Sequence, residues 1–325
     1  MMLTMVQSIA DAQRVALEID KNVLLLGEDI GKNGGVFRAT EGLWEQFGSE
    51  RVIDTPLSEA GIVGSALGLA MGGFKPIIEI QFLSFITPAF EQIVSHVARM
   101  RLRSQGVFST SMVIRAPYGG GIGAPELHSD STEAYFVHTP GLRVVVPSSP
   151  YTAKGLLLGA VASPDPVLFL EPLRLYRTQK EEVPSDYYTL SIDKATVVSQ
   201  GEDVTLIGWG AMIPLLLEAS RLLMEQDITA DVIDLQSLSP IDEETLFASA
   251  KKTGRVVIVH EAPRTCGVGA EIAARLSEEV IDSLEAPIKR VAGYDVPYPL
   301  FALEHAYLPS VKKVVQAVME LVYFQ

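Results

Sequence analysis

The chain has 325 residues, 48% of them hydrophobic, and a formal net charge of −14 at pH 7. This length exceeds one ordinary domain and suits two domains with separate cores. The negative charge argues against nucleic acid and anionic membranes as partners and is compatible with a basic protein partner.

The cysteine count and the first residues bear on location. Cys266 is the single cysteine, which excludes an intrachain disulfide and favours a reducing compartment. The segment 1–7 lacks the basic region that begins a secretory signal. The apolar run 60–74 is short for a membrane span and rich in glycine. We therefore expect a cytoplasmic protein without a membrane-spanning segment.

Strands and helices alternate through the first half of the chain. After an opening helix capped by Thr4, strands are predicted at 23–26, 51–53, 76–82, 112–114, 142–146 and 167–170, and helices near 40–47, 61–73, 88–103 and 151–162. This alternation predicts an α/β fold with a doubly wound, mostly parallel sheet, which we assign to residues 1–180.

The pattern loosens over residues 181–202, where prolines and charges are frequent, and we interpret this segment as a connector. Further strands are predicted at 204–207, 230–235, 256–260 and 288–291, with helices between them and a final helix from about residue 309. Residues 203–325 are therefore expected to form a second, smaller α/β domain.

Glu59 lies where a helix with almost no polar face is predicted to begin. Thr55 as N-cap and Pro56 as the first helical residue would place Glu59 in or near the first turn. The helix beyond it is small and apolar, so a carboxylate there would be partly desolvated and would need a proton or a partner. A surface acid that only complements the helix dipole is the competing interpretation.

Other polar and aromatic side chains follow the carboxyl ends of the predicted strands, where open α/β sheets bind ligands. Glu28 follows the first strand and Glu59 the second, whereas Gln81 and Phe85 follow the third. His128 lies in the loop after the fourth. Each residue alone is more often structural, but together they predict a site at one edge of the sheet.

Common nucleotide and metal motifs are absent from the sequence. No Gly-x-Gly-x-x-Gly follows a strand, no Walker loop is present, and the histidines lack metal-ligand spacing. The glycines at 119–121 lead into no clear helix, so they are only a weak indication of phosphate binding.

Several ordered stretches resemble the beta subunit of the thiamine-diphosphate-dependent 2-oxo acid dehydrogenases. They are Leu26–Asp29, Gly34–Arg38, Asp54–Glu59, Glu79–Phe82 and Pro147–Leu156. The resemblance extends over the chain from end to end, and the sequence is most similar to the branched-chain members of the family. It implies a pyrimidine-binding domain followed by a transketolase-type C-terminal domain.

The resemblance also implies roles for the residues at the predicted edge. Glu59 matches the glutamate that bonds the pyrimidine ring nitrogen of thiamine diphosphate, and His128 matches the active-site histidine near the reacting carbons. The implied cofactor-binding residues are Glu28, Leu57, Glu59, Gln81 and Phe85. Some members hold K⁺ through main-chain carbonyls, and the matching positions are Met112, Ala160, Val161, Ser163 and Asp165.

The implied reaction is decarboxylation of a 2-oxo acid and transfer of the acyl group to lipoyl on an acyltransferase core. The sequence has no Gly-Asp-Gly motif, through which thiamine enzymes bind Mg²⁺ and the diphosphate. Activity is therefore expected only in an α₂β₂ heterotetramer, whose alpha subunit supplies that half of the site. Family members dock onto a basic domain of the core through the C-terminal domain, which suits an acidic chain.

The substrate and the functional class have alternatives. The segments 88–94, 260–263 and 293–299 are more similar to branched-chain members, which favours a branched-chain 2-oxo acid. Phe85, where those members can carry tyrosine, keeps a pyruvate or acetoin dehydrogenase as the alternative. A non-catalytic assembly or regulatory subunit is the alternative from another functional class. A site that no longer catalyses has, however, no physical need for desolvated polar groups.

Overall fold

The computed structural model describes residues 1–324. They form two compact units: residues 1–118 with 135–192, and residues 119–134 with the chain from 193 onward. The predicted first domain, 1–180, thus includes residues 119–134, which pack with the second unit. Within residues 1–324, no helix is both long and apolar enough to cross a membrane.

The first unit is built mainly from strands alternating with helices. Its elements are β1 (Met2–Thr4), α1 (Met5–Ile19), β2 (Val23–Gly27), α2 (Leu43–Phe47), β3 (Val52–Asp54), α3 (Glu59–Met71), β4 (Lys75–Glu79), α4 (Met100–Arg103), β5 (Val113–Tyr118), α5 (Glu133–Val137), β6 (Arg143–Val145), α6 (Pro150–Ala162), β7 (Val167–Pro172) and β8 (Lys180–Glu182). Parallel pairing gives the order β6-β7-β5-β4-β2-β3, and β1 pairs antiparallel with β8. The predicted parallel α/β fold is confirmed.

Strand register brings the candidate residues to one edge. Gly27 at the end of β2 pairs with Asp54 of β3 on one side and Glu79 of β4 on the other. The three strands therefore end level, and the residues that follow them share the carboxyl edge of the sheet.

The start of α3 differs from the prediction. Ser58 is the N-cap, and its Oγ accepts from the Gly61 amide at 3.3 Å, so Glu59 is the first helical residue. The predicted cap at Thr55 and helix start at Pro56 are wrong because the Thr55 amide donates to the Gly27 carbonyl at 2.9 Å. This bond continues the pairing with β2 and keeps residue 55 out of the helix.

The single long helix predicted at 88–103 is also wrong. The chain instead forms a 3₁₀ helix at Leu83–Ala89, a π-helical segment at Gln92–Val97 and the short α4. Pro88 lies inside the 3₁₀ helix and has no N–H to donate to an α-helical ladder. Farther on, the Ala98 amide bonds the Ile93 carbonyl at 3.0 Å, five residues back, which is the π-type pairing.

A fully buried arginine joins three neighbouring strands of this sheet. Arg115 on β5 donates to both carboxylate oxygens of Glu171 on β7, at 2.7 and 3.0 Å, and to Glu79 on β4 at 2.8 Å. The Tyr176 hydroxyl also donates to Glu171, and Gln13 accepts from Arg115 at 3.2 Å. Burial raises the pKa of Glu79, and the attraction of Arg115 opposes that rise. The guanidinium thus keeps two carboxylates in the core.

The second unit has its own sheet and helices. Its elements are β9 (Thr196–Ser199), β10 (Val204–Gly208), α7 (Met212–Met224), β11 (Ala230–Asp234), β12 (Ser237–Ser239), α8 (Glu243–Thr253), β13 (Val256–Pro263), α9 (Val268–Val280), β14 (Lys289–Gly293), α10 (Phe301–Tyr307) and α11 (Val311–Val322). The sheet order is β14-β13-β10-β11-β9, and only the edge strand β9 is antiparallel in it. The strands β8 and β9 lie at the ends of the predicted connector. Both are short and largely exposed, β8 is wholly charged, and neither shows the hydrophobic alternation that would reveal a strand.

We predict that Arg115→Met lowers the free energy of unfolding by about 3–5 kcal/mol, because it leaves two buried carboxylates without their cation. Arg221→Met is the matched control, since Arg221 also bonds two glutamates, at 2.8 and 2.7 Å, but is exposed. Urea denaturation followed by circular dichroism measures both variants. If both variants lowered the free energy of unfolding by the same small amount, burial would add nothing to the strength of the Arg115 cluster, and the expectation would be contradicted.

Candidate active site

Two glutamates interact at the carboxyl edge of the first sheet. Glu28 directly follows β2, Glu59 begins α3, and both are half-buried. Burial raises the pKa of Glu28, and the negative charges of Asp29 and Glu59 act in the same direction. Glu28 therefore accepts a proton more readily than an isolated carboxylate.

Three further candidate residues follow β3 and β4 in the chain. Leu57 immediately precedes α3 and is 69% exposed, although its side chain is wholly apolar. Phe85 lies in the 3₁₀ helix after β4 and is half-buried, as is Gln81 at the end of that strand. An exposed leucine, an aromatic ring, an amide and two acids suit a flat, partly polar ring.

Phe85 is connected to the core by a series of edge-to-face aromatic contacts. Its ring centroid lies 5.3 Å from that of Phe82, which lies 5.3 Å from Phe37. Phe37 lies 5.8 Å from Tyr176, whose hydroxyl belongs to the Arg115 cluster. Each such contact adds about 0.5–1.5 kcal/mol beyond area burial. Sequence reasoning missed the roles of Phe82 and Phe37, although both lie inside stretches that carry the family resemblance.

The loop after Glu28 explains one glycine of the sequence pattern. The Gly31 amide donates to Asp54 Oδ1 at 2.6 Å, and the Lys32 amide donates to Oδ2 at 3.4 Å. A Cβ at Gly31 would lie only 2.6 Å from Asp54 Oδ2, so a larger residue would break this contact. Asp54 thus caps the loop beside Glu28, and its exposed carboxylate is engaged in structure.

His128 belongs to the second unit. It ends a short 3₁₀ turn, Glu126–His128, within the segment 119–134 that packs with that unit. Five of the six predicted residues therefore lie in the first unit, whereas His128 lies in the second. The five are Glu28, Leu57, Glu59, Gln81 and Phe85.

The glycine run at 119–121 is not a phosphate cradle. The Gly120 amide donates to Glu261 Oε2 at 2.9 Å, and the Gly121 amide donates to Glu304 Oε1 at 2.9 Å. The amides that a phosphate would need therefore already donate to carboxylates, and the negative charge of those carboxylates repels anions. Sequence reasoning missed Glu261 and Glu304 because they are 141 and 183 residues away from these glycines.

Glu133 is a further buried acid of this segment that the sequence did not reveal. Burial raises its pKa to about 7, and the charge of Glu261 acts in the same direction. Glu133 therefore exchanges its proton near neutrality, unlike an ordinary surface glutamate.

The carbonyl positions implied for K⁺ gather around the end of α6. They are Met112, Ala160, Val161, Ser163 and Asp165. Ala160 and Val161 lie in the last turn of α6, where carbonyls carry the negative end of the helix dipole. The Ser163 amide donates to the Ala160 carbonyl at 3.1 Å, and the Ser163 hydroxyl donates to the Asp165 carbonyl at 3.0 Å. Each carbonyl has a second lone pair, so this oxygen set fits a monovalent cation.

Side-chain metal sites were sought separately. Over residues 1–324, histidine, cysteine, aspartate and glutamate form no group of three or more arranged to hold a metal ion.

Comparison with known proteins covers almost the whole chain. Residues 1–179 match the transketolase pyrimidine-binding domain, and residues 193–314 match the transketolase C-terminal domain. The chain is 50% identical over 314 residues to the pyruvate dehydrogenase E1 component subunit beta of Staphylococcus epidermidis, covering 97% of each. It is 48% identical over 322 residues to the protein of the same name in Staphylococcus aureus, covering 99% of each.

A solved structure agrees with this assignment. The fold is similar to a split-gene transketolase described as an inactive beta4 tetramer, with a TM-score of 0.81, 27% identity and 98% coverage of both chains. The names of the sequence relatives favour the pyruvate alternative over the branched-chain substrate that short segments had favoured. The chain belongs to the transketolase-like family of E1 beta subunits of 2-oxo acid dehydrogenases.

Proposed function

We propose that this chain is the beta subunit of a pyruvate dehydrogenase E1, which decarboxylates pyruvate and passes the acetyl group to lipoyl on an acyltransferase core. The observation that carries the proposal is the interacting pair Glu28 and Glu59 at the carboxyl edge of the sheet. The relatives named pyruvate dehydrogenase, 48–50% identical over nearly the whole chain, support pyruvate over a branched-chain acid.

The residues at this edge fit the aminopyrimidine ring of thiamine diphosphate. Phe85 and Leu57 offer apolar contact to a flat ring, and Gln81 offers an amide. In this proposal, Glu59 forms the hydrogen bond to a ring nitrogen. When bound, the cofactor supplies the nucleophilic carbon and the electron sink that decarboxylation of a 2-oxo acid requires.

Glu59 shares a proton with the pyrimidine ring nitrogen, and two features of the fold adjust that role. Its carboxylate lies in the first turn of α3, beside the positive end of the helix dipole. The neighbouring Glu28 opposes a second negative charge, and its own raised pKa lets it hold a proton beside Glu59. Aspartate at position 59 would be too short to reach the same place.

The proposed assembly divides the remaining tasks between chains. An alpha subunit completes the α₂β₂ heterotetramer and holds Mg²⁺ and the diphosphate, for which this sequence has no Gly-Asp-Gly motif. The carbonyls at the end of α6 hold K⁺ when it is present. The second domain docks onto the acyltransferase core, and the net charge of −14 suits a basic docking domain.

A non-catalytic assembly subunit is the competing class. It gives no reason for keeping Glu28 partly buried beside a second acid, an arrangement that raises the pKa of Glu28 and disfavours its ionised form. The same arrangement is useful to an enzyme that exchanges a proton at this place.

We predict that the chain, purified with its alpha subunit, decarboxylates pyruvate with a kcat/KM at least tenfold above that for 3-methyl-2-oxobutanoate. A missing or added methylene group changes transition-state binding by about 1–3 kcal/mol, so branched substrates should be poorly accommodated. A preference for the branched acid would restore the branched-chain assignment. A folded heterotetramer that decarboxylates neither acid would support the non-catalytic alternative.

Replacing Glu59 tests its proton-sharing role. Glu59→Gln keeps the shape but cannot take a proton, so deuterium exchange at the thiazolium carbon should slow by roughly 10²–10⁴-fold, about 3–5 kcal/mol of barrier. The assembled heterotetramer is measured by quenched-flow NMR.

Glu45→Gln is the matched control, because Glu45 is also a first-turn acid of the same unit but is exposed at α2. It should leave exchange unchanged. Normal exchange in Glu59→Gln with reduced thermal stability would make Glu59 a helix-end acid.

A further inference from the structure

His128 lies in a closed loop of residues 119–130, here called the His128 loop. The Gly119 amide donates to the Asp130 carbonyl at 3.4 Å, which closes the base of the loop. Near its tip, the His128 amide donates to the Pro125 carbonyl at 2.9 Å. These local bonds determine the shape of the turn around His128 but not where the turn lies on the second unit.

The surface of the loop offers little apolar anchoring. Ile122 and Leu127 are both exposed, so their side chains do not fix the loop through a hydrophobic core. Polar contacts at its first residues join the loop to the rest of the second unit.

Those contacts converge on one buried carboxylate of α10. Glu304 is 2% exposed, and its Oε1 accepts from the Gly121 amide at 2.9 Å and from the Gly123 amide at 3.4 Å. Glu261 adds a parallel bond from the Gly120 amide at 2.9 Å. Bonds to an ionised acceptor are about twice as strong as neutral ones, so these carboxylates are the main anchors of the loop.

Tyr298 completes the anchor. Its hydroxyl donates to Glu304 Oε1 at 2.7 Å and accepts from the Gly121 amide at 3.3 Å. Burial raises the pKa of Tyr298, and the bond to Glu304 acts in the same direction, so the hydroxyl stays a donor near neutrality. A Cβ at Gly120 would lie 1.9 Å from this oxygen, so the loop can pass here only as glycine.

We propose that Glu304 and Tyr298 are positioning residues that hold the His128 loop for acyl transfer. Neither residue needs to touch the substrate, because Glu304 acts on the loop through the amides of Gly121 and Gly123, and Tyr298 acts through the amide of Gly121. The inference rests on the proposed function and adds to it a role in acyl transfer to lipoyl for His128, the residue that matches the family's active-site histidine. A purely structural role would stabilise the second unit without any specific effect on that step.

The test uses the assembled heterotetramer with Glu304→Ala, Glu304→Gln and Tyr298→Phe. Glu304→Ala should lower lipoyl acetylation by roughly 10–100-fold, since small displacements of a catalytic group cost up to about a hundredfold. Pyruvate decarboxylation with an artificial electron acceptor should stay within about twofold. Glu304→Gln keeps an acceptor oxygen and should restore most of the acetylation rate, which loss of folding would not allow.

Hydrogen exchange provides a readout that is independent of activity. The amides of residues 120–123 should exchange faster in Glu304→Ala and, to a smaller extent, in Tyr298→Phe. Glu279→Ala, an exposed acid of α9 in the same unit, is the control and should change neither exchange nor rate. Unchanged exchange in Glu304→Ala would overturn the proposal whatever the activity shows.

A double-mutant cycle tests whether the effect passes through His128. In a His128→Ala background, Glu304→Ala should cause no further loss of acetylation. Additive losses would overturn the positioning role. If His128→Ala alone left acetylation unchanged, the assignment of His128 in the proposed function would fail, and the exchange rates would still decide whether Glu304 holds the loop.

Discussion

The interaction on which the candidate site depends is the guanidinium of Arg115 shared between Glu79 and Glu171. It joins β4, β5 and β7 through side chains that are all buried, so the strands cannot shift without separating buried ions. Tyr176 extends the cluster toward the aromatic series that ends at Phe85. The site at the carboxyl edge is therefore built on an ionic core, and its geometry follows from the register of the sheet.

Acidic side chains serve opposite purposes in the two units. In the first unit, burial and the negative charges of Asp29 and Glu59 raise the pKa of Glu28, which favours proton sharing at the candidate site. In the second, Glu261 and Glu304 accept hydrogen bonds from main-chain amides of a loop. The difference lies in the partners: Glu28 has further acids beside it, whereas Glu261 and Glu304 have amide donors.

The parallel sheet and the residues at its carboxyl edge could be predicted because periodicity and strand order depend on local sequence. The N-cap at Ser58 could not be predicted in this way. The hydrogen bond from the Thr55 amide to the Gly27 carbonyl, which keeps residue 55 out of α3, joins segments that are far apart in the sequence. The hydrogen bonds of Glu304 could not be predicted either, because its partners are the amides of a loop far away in the chain. Short segments favoured the branched-chain members, whereas the relatives that match nearly the whole chain carry the pyruvate dehydrogenase name.

The central claim is that this chain holds the pyrimidine half of a thiamine diphosphate site and depends on a second chain for the diphosphate half. Isothermal titration calorimetry with thiamine diphosphate and Mg²⁺ tests it most directly, first on the chain alone and then on the chain purified with its alpha subunit. The account predicts no measurable binding to the folded chain alone and tight, Mg²⁺-dependent binding to the heterotetramer. Tight Mg²⁺-dependent binding by the chain alone would contradict it.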